Sequence, residues 1–240
     1  MFRFFENQLD SLFQLVYPPI CICCDGAIEE RNEIKLLCST CLKQLEPVPP
    51  DYVQTEIIRR LDSKYLDNLF SIFQFNEIIQ TIIHRVKYQK GQQLACRLGQ
   101  YARKFSPESF SRTKIDVIIP VPLYGVREKE RGFNQSLMIA KGLFSTDGMI
   151  IQPELLLRSK PTRSQTEMGR EERKTNVYSA FVVPFPAKIK NKYIALVDDV
   201  VTTGATLNEC ARELKKAGAE RVVGLTIATP VIKQDKGVVN

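Results

Sequence analysis

The chain has 240 residues, of which 44% are hydrophobic and 25% are charged, with no tryptophan. This composition is typical of a soluble globular protein, and the length suits one large domain or one domain with a small attachment. The net charge of +7 favours anionic partners such as phosphorylated metabolites or nucleic acid, and it does not choose between them.

The N-terminal segment carries a helical pattern and lacks the features of a secretion signal. Apolar side chains recur on one helical face at Phe5, Leu9 and Leu12. Glu6 and Asp10 interrupt the apolar run, and no small-residue cleavage site follows. No apolar run approaches the roughly 20 residues of a membrane span. We therefore expect a helix that packs on its own protein, with no membrane insertion and a cytoplasmic location.

Five of the seven cysteines lie within 21 residues and form two C-x-x-C pairs separated by 13 residues. The pairs are Cys21 with Cys24 and Cys38 with Cys41. Two such knuckles can place four thiolates around Zn²⁺ and leave no open position for water, as in a structural zinc ribbon. Cys23 is an alternative to Cys24 as a ligand, although only Cys24 has the two-residue spacing. Disulfides are the competing interpretation, which a cytoplasmic redox state disfavours.

A proline-rich stretch, "LEPVPPDY", follows the cysteines and marks a boundary near residue 50. A segment of about 50 residues has too little core to fold without help, and a structural metal could supply on the order of 10 kcal/mol. We predict two domains, an N-terminal helix plus zinc ribbon over residues 1–50 and a second domain over residues 51–240.

Beyond residue 50, apolar strand patterns alternate with amphipathic helix patterns. This alternation predicts an α/β fold, with a mainly parallel sheet covered by helices on both faces. Ligands of such sheets bind beyond the carboxyl ends of the strands. The predicted elements are strand 68–75, helices 76–88 and 92–105, strand 114–123, helix 134–144, a short strand within 149–157 broken by Pro153, strand 192–199, helix 204–218 and strand 221–228.

The stretch "IALVDDVVTTGATL" ends a predicted strand in two carboxylates, Asp198 and Asp199. The loop after them contains threonine hydroxyls and leads into a helix, whose first N–H groups suit a phosphate. Gly204 allows the backbone to approach a ligand closely. The carboxylates suit sugar hydroxyls or a Mg²⁺ ion, so a ribose 5-phosphate unit is the simplest candidate ligand. A solvated, N-capping turn is the competing interpretation, and it accounts for only one of the carboxylates.

The segment "LVDDVVTTGATL" resembles the phosphoribosyl pyrophosphate (PRPP) signature of type I phosphoribosyltransferases. The segments "PPICICC", "HRVKYQKG", "IPVPLYGVREKERGFNQS" and "LLRSKPTRSQTEMGREERKTNVYSAF" precede it in the order seen in the ComF/ComFC family. That family consists of bacterial competence-associated phosphoribosyltransferase-like proteins with an N-terminal zinc ribbon. The resemblance extends from about residue 18 to residue 228. It implies a type I phosphoribosyltransferase fold beside the predicted zinc ribbon.

The resemblance also implies roles for individual positions. Asp198 and Asp199 would contact the ribose hydroxyls of PRPP and Mg²⁺, and the turn around Val121, Pro122 and Leu123 would lie beside the pyrophosphate. Arg127 and Arg131 would then neutralise the pyrophosphate, although they could instead pair with Glu128 and Glu130 on the surface. The residues implied to hold the 5′-phosphate are Thr202, Thr203, Gly204, Ala205 and Thr206.

The segment 158–176 is strongly basic and permits three interpretations. In transferases of this class a mobile loop closes over the reacting centre, and a basic loop would counter the charge of leaving pyrophosphate. The same charges could follow a nucleic-acid backbone, or they could be ordinary solvated charges. The basic residues are Arg158, Lys160, Arg163, Arg170, Arg173 and Lys174.

Two functions remain open from the sequence. The first is a Mg²⁺-dependent phosphoribosyltransferase that moves ribose 5-phosphate from PRPP to an acceptor nitrogen and releases pyrophosphate. The second is a non-catalytic PRPP or nucleotide sensor that binds single-stranded DNA or the DNA-uptake machinery. In either case the zinc ribbon could bind DNA, pair with another subunit or only stabilise the fold.

Overall fold

The computed structural model describes residues 20–28, 34, 37–61, 63–87, 91–159 and 180–231. The predicted N-terminal helix and most of the basic segment 158–176 lie outside these residues. Within the described parts of the chain, no helix combines the length and apolar character needed to cross a membrane.

Four parallel strands form the central sheet, because their apolar runs are buried on both faces. The strands in chain order are β1 (Asn68–Gln74), β2 (Val117–Pro120), β5 (Tyr193–Val200) and β6 (Arg221–Thr229), with β3 (Leu157–Arg158) and β4 (Phe181–Val182) between β2 and β5. The order across the sheet is β1-β6-β5-β2. β3 and β4 pair antiparallel with each other in a separate two-stranded ribbon.

Helices cover both faces of the sheet. Two of them begin at a capping asparagine: Asn76 accepts a hydrogen bond from the N–H of Ile79, and Asn134 accepts from the N–H groups of Ser136 and Leu137. In chain order the helices are α1 (Ser39–Lys43), α2 (Tyr52–Glu56), α3 (Glu77–Val86), α4 (Gly91–Ala102), α5 (Glu108–Ser111), α6 (Gly125–Arg131), α7 (Gln135–Leu143), α8 (Pro186–Ile189) and α9 (Ala205–Lys216).

The core has a layer on each side of the sheet. On one side α3, α4 and α7 pack against the strands, and α4 lies in direct backbone contact with α7. A Cβ atom at Gly142 would lie 2.0 Å from the carbonyl oxygen of Cys96, so only glycine permits this approach. On the other side α9 packs beside α2, α8 and the β3–β4 ribbon, through residues such as Ile57, Phe181 and Cys210.

The predicted α/β class is confirmed, with a mainly parallel sheet flanked by helices. β2 is shorter than the predicted strand 114–123 and begins at Val117. It ends early because Pro120 and Pro122 cannot donate the hydrogen bonds that would extend it. Within the predicted strand 149–157, Ile151 forms a single parallel bridge to Ile118. Leu157 begins the separate β3 strand.

The cysteine-rich end packs directly on the sheet. Pro47 forms an antiparallel bridge to Phe73 in β1, and the N–H of Val48 donates to the carbonyl of Ile72 at 2.9 Å. Buried side chains of this end, among them Leu37 and Leu45, belong to the same apolar cluster as those of α3 and α4. Division of the chain near residue 50 into two domains stays a prediction.

Candidate functional site

The carboxylates of Asp198 and Asp199 stand at the carboxyl end of β5, next to the start of α7. The Ser136 hydroxyl donates a hydrogen bond to Oδ1 of Asp198 at 2.8 Å. The backbone N–H of Asp199 donates to the same oxygen at 2.9 Å. Two fixed donors therefore orient the Asp198 carboxyl before any ligand is bound.

The environment of Asp198 favours the protonated acid. Burial raises the pKa of Asp198 to about 8, and the charge of neighbouring Asp199 acts in the same direction. The hydrogen bond from Ser136 opposes the rise by stabilising the carboxylate. Two acidic groups this close at the end of a buried strand are typical of a site that receives a hydroxyl-bearing or cationic ligand.

Asp199 is held by a different set of donors. Its Oδ1 accepts a hydrogen bond from the N–H of Val200 at 2.8 Å, and its Oδ2 accepts one from Nε2 of Gln135 at 3.4 Å. The same Gln135 side chain accepts a hydrogen bond at 2.8 Å from Nη1 of Arg131, the last residue of α6. A predicted pyrophosphate-binding arginine is thus linked through one amide to a predicted ribose-binding carboxylate.

The threonine-glycine loop, residues 202–206, follows β5 and includes the first two residues of α9, Ala205 and Thr206. Gly204 has φ +75°, a left-handed conformation that favours glycine, and it immediately precedes the first residue of the 12-residue helix α9. Thr202 and Thr203 are exposed, while Ala205 and Thr206 are half-buried. Exposed hydroxyls beside the first N–H groups of a helix form an environment suited to a phosphate.

The turn after β2 lies beside β5 at the same edge of the sheet. The N–H of Val121 donates to the carbonyl of Val197 at 2.8 Å. Nδ2 of Asn134 donates to the carbonyl of Val121 at 3.0 Å. Val121 and Pro122, both buried, therefore lie at the same edge of the sheet as Asp198, and their role beside a pyrophosphate stays a prediction.

Arg158, in the β3–β4 ribbon, brings a positive charge toward the carboxylates. Its guanidinium lies over the ring of Phe181, 5.5 Å from the ring centre. Burial lowers the pKa of Arg158, and the negative charge of Asp198 is among the influences that oppose this shift. Residues 160–179, which connect the two strands of the ribbon, lie outside the described residues.

Four cysteine sulfurs form a separate cluster in the segment before β1. The Sγ atoms of Cys21, Cys24, Cys38 and Cys41 all lie within 4.8 Å of one another. Two of these sulfurs accept hydrogen bonds from the backbone. The N–H of Cys23 donates to Sγ of Cys21 at 3.5 Å, and the N–H of Cys41 donates to Sγ of Cys38 at 3.4 Å. Four soft sulfur donors on two short turns fit a tetrahedral metal ion of the zinc type.

Cys23 does not belong to this cluster. Its side chain packs against the apolar core, and burial, with the nearby charges of the other cysteines, raises its pKa to about 12. Its sulfur is not among the four that lie within 4.8 Å of one another. The spacing argument that preferred Cys24 over Cys23 agrees with this arrangement.

Gln135, Ser136 and Asn134 were not assigned roles from the sequence, although the segment "GFNQS" was part of the family resemblance. Their partners lie on β2 and β5, and no periodicity in the chain reveals such contacts. The available signal was a run of three polar residues at a predicted helix start. Polar residues at such a position ordinarily face the solvent.

Comparison with known proteins supports these observations. A family profile described as "Phosphoribosyl transferase domain" matches residues 156–236, which include the carboxylates and the threonine-glycine loop. Competence protein F of Haemophilus influenzae is 29% identical over 218 residues, covering 84% of this chain and 93% of that protein. DNA utilization protein YhgH of Salmonella typhi is 26% identical over 217 residues, with coverages of 85% and 87%.

Competence protein ComFC of Streptococcus pneumoniae is 28% identical over 206 residues, covering 80% of this chain and 87% of that protein. A solved purine phosphoribosyltransferase from Pyrococcus horikoshii is 20% identical, covers 70% of this chain and 84% of its own, and has a TM-score of 0.29. The resemblance to competence proteins is confirmed over most of the chain, which contains a type I phosphoribosyltransferase domain.

Proposed function

We propose that this protein binds PRPP with Mg²⁺ at the carboxyl end of β5 and transfers its ribose 5-phosphate to an acceptor nitrogen, with release of pyrophosphate. The proposal depends above all on one observation. Two preoriented carboxylates immediately precede a threonine-glycine loop at the start of α9, within a phosphoribosyl transferase domain.

Each part of PRPP has a counterpart in this arrangement. Residues 202–206 would receive the 5′-phosphate, Asp198 and Asp199 the ribose hydroxyls, and Val121, Pro122 and Arg131 the pyrophosphate. The hard oxygen donors of the two aspartates fit Mg²⁺, which would neutralise the pyrophosphate oxygens when bound. The side chains of Ser136 and Gln135 keep the carboxylates oriented so that little rearrangement accompanies binding.

In the proposed reaction the bond between the ribose anomeric carbon and the pyrophosphate oxygen breaks, and the bonding electrons leave with pyrophosphate. The acceptor nitrogen forms the new bond to that carbon. Positive charge develops on the ribose, so fixed negative groups and positioning contribute more than a protein nucleophile. Arg131 would stabilise the departing pyrophosphate.

The four-cysteine cluster is proposed as a structural zinc site, held by Cys21, Cys24, Cys38 and Cys41. Zinc bound by four cysteines has no open position for water, so its contribution would be to stabilise this end of the fold. Two turns with N–H groups directed at sulfur support this assignment.

Calorimetric titration of Mg²⁺·PRPP tests the binding proposal. The double variant Asp198→Asn/Asp199→Asn should bind at least about 100-fold more weakly than wild type, because both carboxyl groups proposed to contact the ribose and Mg²⁺ are lost. Asp116→Asn is a matched control, since Asp116 accepts the N–H of Tyr193 at 2.9 Å and lies at the opposite end of the same sheet. Equal affinity of wild type and the double variant would overturn the proposal.

A second candidate is a non-catalytic protein that senses PRPP or a nucleotide and binds single-stranded DNA or DNA-uptake proteins. The names of the relatives, which refer to competence and DNA utilization, and the net charge of +7 favour it. Pyrophosphate release from PRPP with a panel of nucleobases would support the transferase. DNA binding that weakens steeply with salt, without any turnover, would support the second candidate.

A further inference from the structure

A continuous hydrogen-bonded chain connects the end of α6 to the end of β5. Arg131 donates to Oε1 of Gln135 at 2.8 Å, and Nε2 of Gln135 donates to Oδ2 of Asp199 at 3.4 Å. The residues at its two ends are those proposed to hold opposite parts of PRPP, the pyrophosphate and the ribose.

The chemistry of the middle residue suits both neighbours. An arginine can only donate hydrogen bonds, and an ionised carboxylate can only accept them. A side chain between them must therefore accept on one side and donate on the other, as the amide of Gln135 does. A glutamate there would lack the donor toward Asp199, and an apolar side chain of similar length would provide neither bond.

Gln135 is itself held in place at the start of α7. The preceding Asn134 caps the helix and donates to the carbonyl of Val121, while the following Ser136 donates to Asp198. Gln135 is only 5% exposed, so water competes little for its amide and its hydrogen bonds gain strength. Three successive residues thus attach to the β2 turn and to both carboxylates.

We infer that Gln135 is a positioning residue that fixes Arg131 and Asp199 relative to each other and so couples the pyrophosphate side of the site to the ribose side. This inference rests on the proposed function. When Arg131 engages pyrophosphate, the Gln135 amide keeps Asp199 directed toward the ribose. Without the arginine, the amide of Gln135 is free to rotate, and the hydrogen bonds of Asp199 to the ribose hydroxyls weaken.

Ribose 5-phosphate with Mg²⁺ is a suitable probe, because it lacks the pyrophosphate that Arg131 is proposed to contact. Calorimetry would compare Arg131→Met in the wild-type background and in the Gln135→Met background. We expect Arg131→Met to weaken ribose 5-phosphate binding about three- to tenfold when Gln135 is present, the size of one hydrogen bond. With Gln135→Met already in place, the same substitution should change the affinity less than about twofold.

Equal effects of Arg131→Met in both backgrounds, or no effect in either, would overturn the coupling. If the wild-type protein binds neither PRPP nor ribose 5-phosphate, the proposed function and the inference are both overturned. This outcome is measured on wild type, without any variant. Binding of both ligands without the background dependence overturns only the role of Gln135. Gln93→Met, at an exposed position of α4, controls for the loss of a glutamine amide.

A measurement without ligand keeps the inference testable if the variants bind poorly. In ¹⁵N-labelled protein, the side-chain amide signal of Gln135 is the one that disappears in Gln135→Met. It should shift in Arg131→Met and also in Asp199→Asn, while the signal of Gln93 stays unchanged. A Gln135 signal that responds to neither substitution would contradict the inference.

Discussion

The cysteine cluster and the carboxylate site differ in how their residues are brought together. The four sulfurs come from a single stretch of 21 residues, on turns that lie close together in the chain. The side-chain hydrogen bonds that reach the carboxylates from α7 join residues 62 and 64 positions apart, so they exist only when α7 packs on β5. The first site is therefore assembled within one short segment, and the second depends on the packing of α7 against the sheet.

The largest expected effect breaks the local site alone. Cys38→Ser removes a sulfur from the cluster, and we expect loss of stoichiometric zinc and a fall of at least about 3 kcal/mol in the free energy of unfolding. This is a small part of the roughly 10 kcal/mol or more that a structural zinc can supply. Metal analysis and denaturant unfolding would measure both.

Cys23→Ser is the matched control, because Cys23 lies in the same segment but outside the cluster. It should retain zinc and lose little stability. Zinc retained in Cys38→Ser, or lost in Cys23→Ser, would contradict the ligand assignment.

A smaller effect on stability is expected at residues 202–206, the loop proposed to hold the phosphate. The conformation of this loop depends on residues elsewhere in the fold. Gly204→Ala should lower the free energy of unfolding by about 2–3 kcal/mol, because φ is +75° and the new Cβ would lie 2.9 Å from Cγ2 of Ile57. Gly132→Ala is the comparison, since φ is +76° but nothing lies within 4 Å. It should cost only about 1 kcal/mol, so equal losses in the two variants would show that Ile57 does not press on the loop.

The smallest effect concerns Asp198. Its substitution by asparagine should stabilise the fold, although the same residue is proposed to contact the ligand. Because the pKa of Asp198 in the folded protein is raised to about 8, its contribution to stability is complete below the ordinary pKa of about 4 and is lost as the pH rises toward 8. Asp198→Asn cannot ionise and escapes this loss. In Mg²⁺-free buffer its melting temperature should exceed that of wild type by a few degrees at pH 8.5 and by less at pH 5.5. A difference that does not grow with pH would contradict the environment described for Asp198.

The same contrast between local and distant residues explains what the sequence could predict. The cysteine cluster followed from spacing, and β5, β6 and α9 followed from long apolar or amphipathic patterns. β2 ends at Pro120, short of the predicted residue 123, because proline has no N–H with which to continue the hydrogen bonds of the strand. Helix α6 was missed, because its charged sequence between two glycines carries almost no apolar periodicity.

The carboxylates and the threonine-glycine loop were also predictable, as they form one continuous stretch of sequence. Gln135 and Ser136 were not, because their partners are supplied by the packing of α7 against β5. The position of Arg158 depends in the same way on tertiary structure, because the pairing of β3 with β4 brings its guanidinium over the ring of Phe181 and the ribbon packs against α9. The sequence therefore identifies the groups proposed to contact a ligand more readily than the groups that orient them.

A crystal structure with Mg²⁺ and PRPP is the most direct test of the account. We expect the ribose hydroxyls within hydrogen-bond distance of Asp198 and Asp199, with the 5′-phosphate against residues 202–206 at the start of α9. PRPP bound elsewhere, or bound here with its sugar turned away from both aspartates, would contradict the central claim.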